Sequence, residues 1–300
     1  MNLDAPVFDG AAFDDAAFDD DYDDAPRLQS HLDSLGACDY LAALYRLTGE
    51  QGRDITPEDL IHELRSDPEE AAEVLAELQD CEYLVLDEGF LTLTSFGQEE
   101  AEFTLVKHAR AAAFLSGVLK LSPQEACRNA ARIRHVMRRE TFKGISRYLR
   151  KHNLDRIIPE TEMNLLFPSL TRTIDENYGY LFDPLYLLLE DHETPTIAGI
   201  SEFTGMRLGM AEREARKMEE RGLLETIGSD GVLTPTPRGL EIIYDLANRH
   251  MEITSFLKFT LGLEDIEAQK NAWKWKFLLS GAALKAIRAF LAENGIAAEL

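Results

Sequence analysis

The sequence is poor in the features that mark disulfide-rich, membrane-spanning and secreted proteins. It has three cysteines, an odd number, widely spread and without a CxxC pair, so neither a disulfide framework nor a CxxC zinc site is expected. No apolar run reaches the roughly 18 residues that a membrane helix needs. The first residues lack the basic and apolar regions of a secretory signal. We therefore expect a cytoplasmic protein that does not enter a membrane.

Signatures of enzymes are equally scarce. The chain has no glycine-rich phosphate loop, no nucleophile elbow and no HExxH sequence. No pair of carboxylates stands out as an acid and a base among the many acidic residues. We therefore expect that the protein is not an enzyme. Its 300 residues and its apolar fraction of 45% are enough for about two domains with cores of their own.

Positive charge is in short supply and is unevenly spread. The net charge is −23, which is unfavourable for binding a phosphate backbone. Residues 1–26 carry nine Asp and no Lys or Arg, whereas residues 128–156 carry ten Lys or Arg against two acids. Such an acidic low-complexity segment is predicted to be disordered. Two interpretations stay open for it: a solvating tail, or a nucleic-acid mimic that folds back on the basic stretch 128–156 or on the second half of the chain.

An internal repeat organises the chain. The stretch 105–150 returns in related form at 246–290, and six pairs of identical residues lie 142 positions apart without a gap. The pairs are Gly97 and Gly239, His108 and His250, Leu119 and Leu261, Leu121 and Leu263, Glu125 and Glu267, and Ala126 and Ala268. A constant offset over this length predicts two copies of one structural unit.

The predicted elements follow the same order in both copies. In copy one, apolar residues recur at helical spacing from Asp39 onward, and Thr56, Pro57 and Asp59 mark a capped helix start. A helix over 69–79, a hairpin over 83–93 and helices over 98–119 and 123–151 follow. Copy two repeats the order with helices at 184–190, 198–204 and 209–221, strands at 223–227 and 232–234, and helices at 240–261 and 264–293. Helix, helix–turn–helix and hairpin are the order of a winged helix.

The repeated unit resembles the diphtheria-toxin-repressor and manganese-transport-regulator family of metal-dependent transcription repressors. The resemblance covers about residues 30–150 and 180–293. It is carried by the turn patterns Leu93–Gly97 and Pro235–Gly239, the histidine after each, a Leu-x-Leu before an acidic helix start, and the strings Glu125-Ala-Cys-Arg and Ile133-Arg-His-Val-Met137. Members of this family are homodimers, and each of their chains has one winged helix and one helical half that binds metal and forms the dimer. The resemblance implies the same two parts in each repeated unit of this chain.

Together, the repeat and the resemblance predict a mainly α fold with small β-hairpin wings. Two tandem winged-helix plus helical dimerisation-domain units would form an intrachain pseudo-dimer. The expected boundaries are a disordered acidic tail (1–28), winged helix 1 (29–97), helical region 1 (98–152), a linker (153–178), winged helix 2 (179–239) and helical region 2 (240–300).

The resemblance also implies a Mn²⁺ or Fe²⁺ site built from His and carboxylate ligands. The matching positions in copy one are Asp39, His108, Cys127 and His135, but Arg134 stands where the family has a glutamate. Copy two keeps only His250; Phe277, Lys276 and Trp273 replace other ligands, so no metal site is expected there. Ala131 and Ala112 also replace ligands in copy one.

Three interpretations of copy one stay open. The four residues could bind a metal weakly, or the Arg134 guanidinium could pair with Asp39 and supply the charge that an ion once gave. The third is an ordinary core histidine with a surface arginine. We predict that control by metal is weakened or lost. For copy one, we expect no bound cofactor, and a Mn²⁺ or Fe²⁺ ion is the alternative.

The candidate DNA-reading residues lie in the second helix–turn–helix of copy two. Arg207 and Arg213 lie toward the end of the helix that meets base edges, and Arg216 and Lys217 are placed for phosphate. The positive charge of this helix is partly offset by four acids, Glu212, Glu214, Glu219 and Glu220. The alternative interpretation is therefore a solvated helix whose basic residues form salt bridges. The corresponding helix of copy one has no Lys or Arg from residue 67 to 79.

Two functions of different classes follow. The first is a transcriptional regulator that binds double-stranded DNA and is related to iron- and manganese-dependent repressors. The second is a degenerate winged-helix module that binds another protein or mimics nucleic acid. Salt dependence separates them, because a DNA binder loses affinity steeply as salt rises.

Overall fold

The computed structural model describes residues 36–51, 54–154 and 179–298. The predicted acidic tail (1–28) and residues 155–178 of the predicted linker lie outside these ranges. The chain divides into two compact units, Met1–Leu170 and Thr171–Leu300. In the described parts of both, helices predominate, and none of these helices is long and apolar enough to cross a membrane.

The first unit begins with three helices and a hairpin: α1 (Ala37–Gln51), α2 (Pro57–Leu64), α3 (Pro68–Asp80), β1 (Leu84–Asp87) and β2 (Phe90–Leu93). The capping box predicted at Thr56 is confirmed. The amide of Asp59 donates to the Thr56 hydroxyl at 3.2 Å, and the amide of Thr56 donates to the Asp59 carboxylate at 3.0 Å. The Asp67 carboxylate caps α3 by accepting the amides of Glu69 and Glu70 at 2.9 and 3.2 Å. The two strands pair antiparallel, from Leu84 opposite Leu93 to Asp87 opposite Phe90.

The helical part of the first unit contains α4 (Ser95–Leu119), α5 (Pro123–Ile133), a short 3₁₀ helix (Arg134–Val136) and α6 (Arg139–Lys151). Helix α4 packs against α1, α5 and α6. The single helix predicted over 123–151 is therefore wrong. The backbone is extended at Met137 and Arg138, and the Met137 side chain is buried at this break. The break places Arg134 and His135 on a separate turn at the end of α5.

The second unit contains α7 (Gly179–Glu190), α8 (Ile197–Thr204), α9 (Leu208–Glu220), α10 (Pro237–Leu261), α11 (Asp265–Leu278) and α12 (Gly281–Glu293). The single helix predicted over 264–293 is also wrong. Leu279 is extended and buried, and the Ser280 hydroxyl accepts the amide of Ala283 at 3.2 Å to start α12. Leu279 lies 142 positions after Met137, so the two breaks fall at matching places.

The strands predicted over 223–227 and 232–234 are absent from the described second unit. Only isolated bridges join Leu224 to Pro235 and Thr196 to Val232. Proline has no amide hydrogen, so Pro235 cannot donate the ladder hydrogen bond that a full strand pair would require. The second hairpin is therefore reduced to irregular chain, although the amide of Glu225 still donates to the carbonyl of Thr234 at 2.8 Å.

A Thr-x-x-Gly turn starts the long helix of each unit with nearly the same hydrogen bonds. The amide of Gly97 donates to the Thr94 hydroxyl at 3.2 Å, and that of Gly239 donates to the Thr236 hydroxyl at 3.1 Å. Both glycines pack against a backbone carbonyl. A Cβ atom at either position would lie 1.9 Å from it, which no side chain tolerates.

The Gly97→Ala variant is therefore expected to lose about 2–3 kcal/mol of the first unit's free energy of unfolding, because the carbonyl of Tyr83 must move to admit a methyl group. Urea unfolding followed by circular dichroism measures the loss. Gly49→Ala is the matched control, since Gly49 is also helical but has nothing within 4 Å of an added Cβ. Equal stability of the two variants would contradict the close packing at Gly97.

Candidate metal centre and nucleic-acid interface

Three elements of the first unit bring a polar cluster into its interior. Helix α1 supplies Cys38 and Asp39, α4 supplies His108, and the 3₁₀ helix supplies Arg134 and His135. Asp39, His108 and Arg134 are almost completely buried, with exposed fractions of 4%, 1% and 2%. Their burial means that every charge here needs a partner inside the protein, because water cannot supply one.

Arg134 is the centre of this cluster. One terminal nitrogen of its guanidinium donates to Oδ1 of Asp39, and the other lies 3.1 Å from Nδ1 of His108. Because a guanidinium only donates, the His108 Nδ1 must accept, and the ring proton is on Nε2. The Nε2 atom is buried and has no hydrogen-bond partner among the residues that the structure describes. Arg134 thus joins the first helix to the long helix α4 through one side chain.

Three potential metal ligands lie together beside Arg134. Ligand atoms of Cys38, Asp39 and His135 lie within 4.8 Å of one another. The Cys38 sulfur is 3.0 Å from Nδ1 of His135, whose Nε2 is 3.3 Å from the Asp39 carboxylate without hydrogen-bond geometry.

The structure brings together two residues of the predicted set of Asp39, His108, Cys127 and His135, namely Asp39 and His135, and the metal-binding role of the set stays a prediction. The cysteine in the group is Cys38 rather than Cys127, which is buried in α5. His108 is also outside the group, because Arg134 occupies the space between His108 and Asp39.

The buried charges shift the pKa values of this cluster. Burial would raise the pKa of Asp39, but Arg134 and His135 lower it to about 2. Burial and the neighbouring Arg134 hold the pKa of His108 well below its usual value, so its ring is neutral. Burial opposes the charging of His135, yet Cys38 and Asp39 raise its pKa to about 10. The cluster therefore holds an ionised Asp39 between two cations at neutral pH.

These residues do not fit a divalent ion while Arg134 is in place. The guanidinium already uses one carboxylate oxygen of Asp39 and the Nδ1 atom of His108, which an ion would need. Its positive charge also repels a second cation in the same space. Cys38, Asp39 and His135 remain as three mixed sulfur, oxygen and nitrogen donors, but His135 would first have to lose its proton.

The second unit has a corresponding buried cation. Lys276, which lies 142 positions after Arg134, is completely buried and donates to both carboxylate oxygens of Asp183 at 2.5 and 2.6 Å. Asp183 belongs to α7, the first helix of its unit. Burial lowers the pKa of Lys276, and its ion pair with Asp183 opposes this shift. The ammonium also lies 4.3 Å from the centre of the Trp273 ring, a cation–π distance.

The histidine beside this second cation is also neutral. His250 lies 3.9 Å from the Asp183 carboxylate, and burial together with Lys276 lowers its pKa to about 4. Phe182 and Phe277 belong to one apolar core cluster, at the positions before Asp183 and after Lys276. In the first unit the corresponding positions hold Cys38 and His135, which contact each other.

Sequence reasoning missed Cys38 and the partner of Lys276. The repeat offset from Arg134 gives Lys276, but the same offset from Asp39 gives Leu181, and Asp183 lies just before the predicted helix 184–190. The sequence therefore carried a signal for Lys276 and none for its partner. Cys38 had no such signal except its position next to Asp39.

The four candidate DNA-binding residues lie on or beside α9. Arg207 is exposed at the N-cap of the helix, and Arg213 and Arg216 are exposed on its surface. Lys217 is partly buried and lies 3.1 Å from Glu214, while Arg216 lies 3.0 Å from Glu219. The exposed face of α9 therefore carries basic residues, partly neutralised by neighbouring carboxylates.

Glu214 differs from the expectation of a solvated acid. Its exposed fraction is 1%, and its carboxylate lies close to Lys217 and to the Nε atom of Arg213 at 3.4 Å. The buried Glu214 thus pairs with two of the four candidate DNA-binding residues, Arg213 and Lys217. The arginine least involved in such pairs within the described contacts of α9 is Arg207.

Comparison with known proteins identifies one matching family model. The model described as "Iron dependent repressor, metal binding and dimerisation domain" matches residues 94–156. No curated protein sequence matches the chain. The matched region spans α4, α5 and α6, and it includes His108, Arg134 and His135. The predicted resemblance to iron-dependent repressors is thereby confirmed for the helical part of the first unit.

Proposed function

We propose that the protein is a DNA-binding transcriptional regulator rather than an enzyme, built as a tandem duplication of a winged-helix unit. The match of residues 94–156 to a regulator domain carries this proposal. The element order supports it, because a capped helix–turn–helix and a hairpin precede the matched region. The duplication is supported by the long helices Ser95–Leu119 and Pro237–Leu261, which have equal length and begin at equivalent Thr-x-x-Gly turns.

Metal control is weakened or lost in this proposal. Each unit ties the aspartate of its first helix to a buried cation, Arg134 with Asp39 and Lys276 with Asp183. A resident side chain cannot dissociate as an ion does, so the first helix stays joined to the helical part at any metal concentration. DNA binding should therefore be insensitive to a chelator.

DNA binding is assigned to α9 of the second unit. Its exposed Arg207, Arg213 and Arg216 provide donors for guanine and phosphate, and Lys217 adds charge. Two units with different reading helices would not favour a palindromic operator. Because α3 of the first unit is acidic, we assign it no role on DNA.

A genomic fragment library tests both parts of the proposal. The purified chain is expected to enrich discrete sites equally with added Mn²⁺ and with chelator, and to lose them as salt rises. Enrichment that requires metal would contradict the loss of metal control. Absence of enrichment under every condition would contradict DNA binding itself.

The Arg207→Ala variant is expected to bind the best enriched site about 1–3 kcal/mol more weakly, or roughly 5- to 150-fold. Fluorescence anisotropy with a labelled duplex measures the change. Lys285→Ala is the matched control, because Lys285 is an exposed cation on α12 of the same unit. An equal loss in both variants would indicate a general charge effect instead of a contact by α9.

A protein-interaction role is the second candidate. The observation that favours it is the absence of Lys and Arg from α3, where a winged helix would place its DNA contacts.

A further inference from the structure

The first unit presents a strongly acidic surface on its third helix and its hairpin. Residues 66–106 contain twelve Asp and Glu and no Lys, Arg or His. Eight of these acids are exposed on or beside α3 and the hairpin: Asp67, Glu69, Glu70, Glu73, Asp80, Glu82, Asp87 and Glu88. Helix α3 packs against β1, so the two acidic elements are neighbours. We call these eight acids, together with Val85 and Phe90, the acidic wing face.

Two apolar side chains lie within this surface. Val85 is 51% exposed and Phe90 is 39% exposed. In the hairpin, Val85 pairs with Thr92 and Asp87 pairs with Phe90, so Val85 and Phe90 are diagonal neighbours on the same side of the sheet. Asp87 lies on that side too. The hairpin thus offers an apolar pair beside carboxylates, on the side opposite its buried residues Leu84 and Leu91.

The charge of the surface selects its partner. Nucleic acid and an anionic membrane are both repelled by eight carboxylates without a basic residue among them. The same face of a second copy is repelled for the same reason. A protein segment that carries Lys or Arg around apolar side chains satisfies both features, because its cations meet the carboxylates while its apolar groups cover Val85 and Phe90.

We propose that the acidic wing face binds a cationic, amphipathic segment of another protein. The two units then have different roles, since α9 of the second unit is the proposed DNA-reading helix and the first unit recruits a basic partner. This assignment does not depend on DNA binding. It needs only the exposed acids and the apolar pair of the first unit.

Two synthetic peptides of equal net charge test the proposal on the full chain. One alternates Lys with Leu, and the other alternates Lys with Ser. The Lys–Leu peptide is expected to bind more tightly, and the Val85→Thr, Phe90→Thr double variant is expected to bind it about tenfold more weakly, since the apolar contact is lost. The Glu69→Gln, Glu70→Gln, Glu73→Gln variant is expected to weaken the binding of both peptides.

The matched control is the Phe259→Thr, Ile266→Thr variant, which removes two other exposed apolar residues in the second unit. It is expected to bind the Lys–Leu peptide as the parent chain does. Equal affinity for both peptides, or equal weakening in both double variants, would overturn the proposal. Circular dichroism and hydrogen exchange of the hairpin amides confirm that the variants fold.

Two further measurements test whether a second copy of the chain or DNA, instead of a basic protein segment, binds the acidic wing face. Sedimentation of the parent chain and of the Val85→Thr, Phe90→Thr variant is expected to show the same oligomeric state. Self-association that this variant abolishes would mean that a second copy covers the face, and would overturn the proposal. DNA affinity is expected to be unchanged in this variant, and its loss would show that the face contacts DNA instead.

Discussion

The Arg134→Leu variant is expected to lose about 3–5 kcal/mol of the first unit's free energy of unfolding. The Asp39 carboxylate would remain buried and charged without its main partner, and Nδ1 of His108 would lose its donor. The exposed fractions of the two side chains in the ion pair, 2% and 6%, leave little room for water to compensate. This is the largest stability effect that we expect from a single side chain of the site.

Hydrogen exchange can measure this loss in one unit at a time. The amides of α1 and α4 are expected to exchange faster in the Arg134→Leu variant. Both tryptophans of the chain, Trp273 and Trp275, belong to the second unit, so urea unfolding followed by their fluorescence should be unchanged. Faster amide exchange in the first unit, with unchanged tryptophan fluorescence during unfolding, would show that the loss of stability is local to the unit that contains the ion pair.

Two controls distinguish a buried ion pair from a merely large side chain. Arg128→Leu removes a half-exposed arginine from α5, where its pair with Glu125 should contribute less than about 1 kcal/mol. The double variant Arg134→Leu, Asp39→Leu removes both charges and is expected to recover much of the stability, because apolar residues tolerate burial. A loss below about 1 kcal/mol for Arg134→Leu alone would refute the central role of this pair.

The sequence predicted those parts of the fold that depend on local chemistry. The capping box at Thr56, the Pro57 start of α2 and the long helix after Thr94 rest on signals within a few residues. The break at Met137 was missed because α6 starts without a side-chain cap and the buried Met137 side chain is its main mark in the structure. The break at Leu279 had a local signal in Ser280, whose hydroxyl caps α12, and the prediction overlooked it. The strands predicted over 223–227 and 232–234 were wrong, because the prediction overlooked that Pro235 has no amide hydrogen to donate to the ladder.

The candidate site was predictable where the family resemblance or the predicted repeat marked the position of a residue. Arg134 lies where the resemblance implies a ligand, and its opposite charge made an ion pair with Asp39 a specific expectation. The contact of Cys38 with His135 depends on the angle between α1 and the 3₁₀ helix, which no local pattern encodes. The burial of Glu214 was likewise hidden, because charged residues on a helix are usually solvated.

The two resident cations reach the same arrangement by different side chains. Arg134 spans Asp39 and His108 with two terminal nitrogens, as a planar guanidinium can. Lys276 is a point charge that reaches both oxygens of Asp183 and lies against the Trp273 ring instead. His108 and His250 are both neutral. The positive charge beside Asp183 therefore comes from Lys276, whereas beside Asp39 it comes from Arg134 together with the charged ring of His135.

The Arg134→Glu variant is expected to gain Mn²⁺ binding at least about a hundredfold tighter than the parent chain. Two unit charges 4 Å apart interact with about 4 kcal/mol at an effective dielectric constant of 20, or about a thousandfold in affinity. The substitution removes this repulsion, frees Asp39 and His108, and adds a carboxylate next to His135. Isothermal titration with Mn²⁺ measures the affinity, and metal content after dialysis gives the stoichiometry.

Two variants show whether such a gain belongs to this site. Arg147→Glu makes the same change in net charge at an exposed residue of α6, and this variant is expected to bind Mn²⁺ no better than the parent chain. Lys276→Glu is also expected to gain little, because Phe182 and Phe277 stand where the first unit has Cys38 and His135. If Arg134→Glu does not fold, Arg134→Gln removes the charge with less strain and should still improve Mn²⁺ binding. Tight stoichiometric binding by the parent chain would mean that Arg134 does not replace an ion, since the metal would then bind despite the guanidinium.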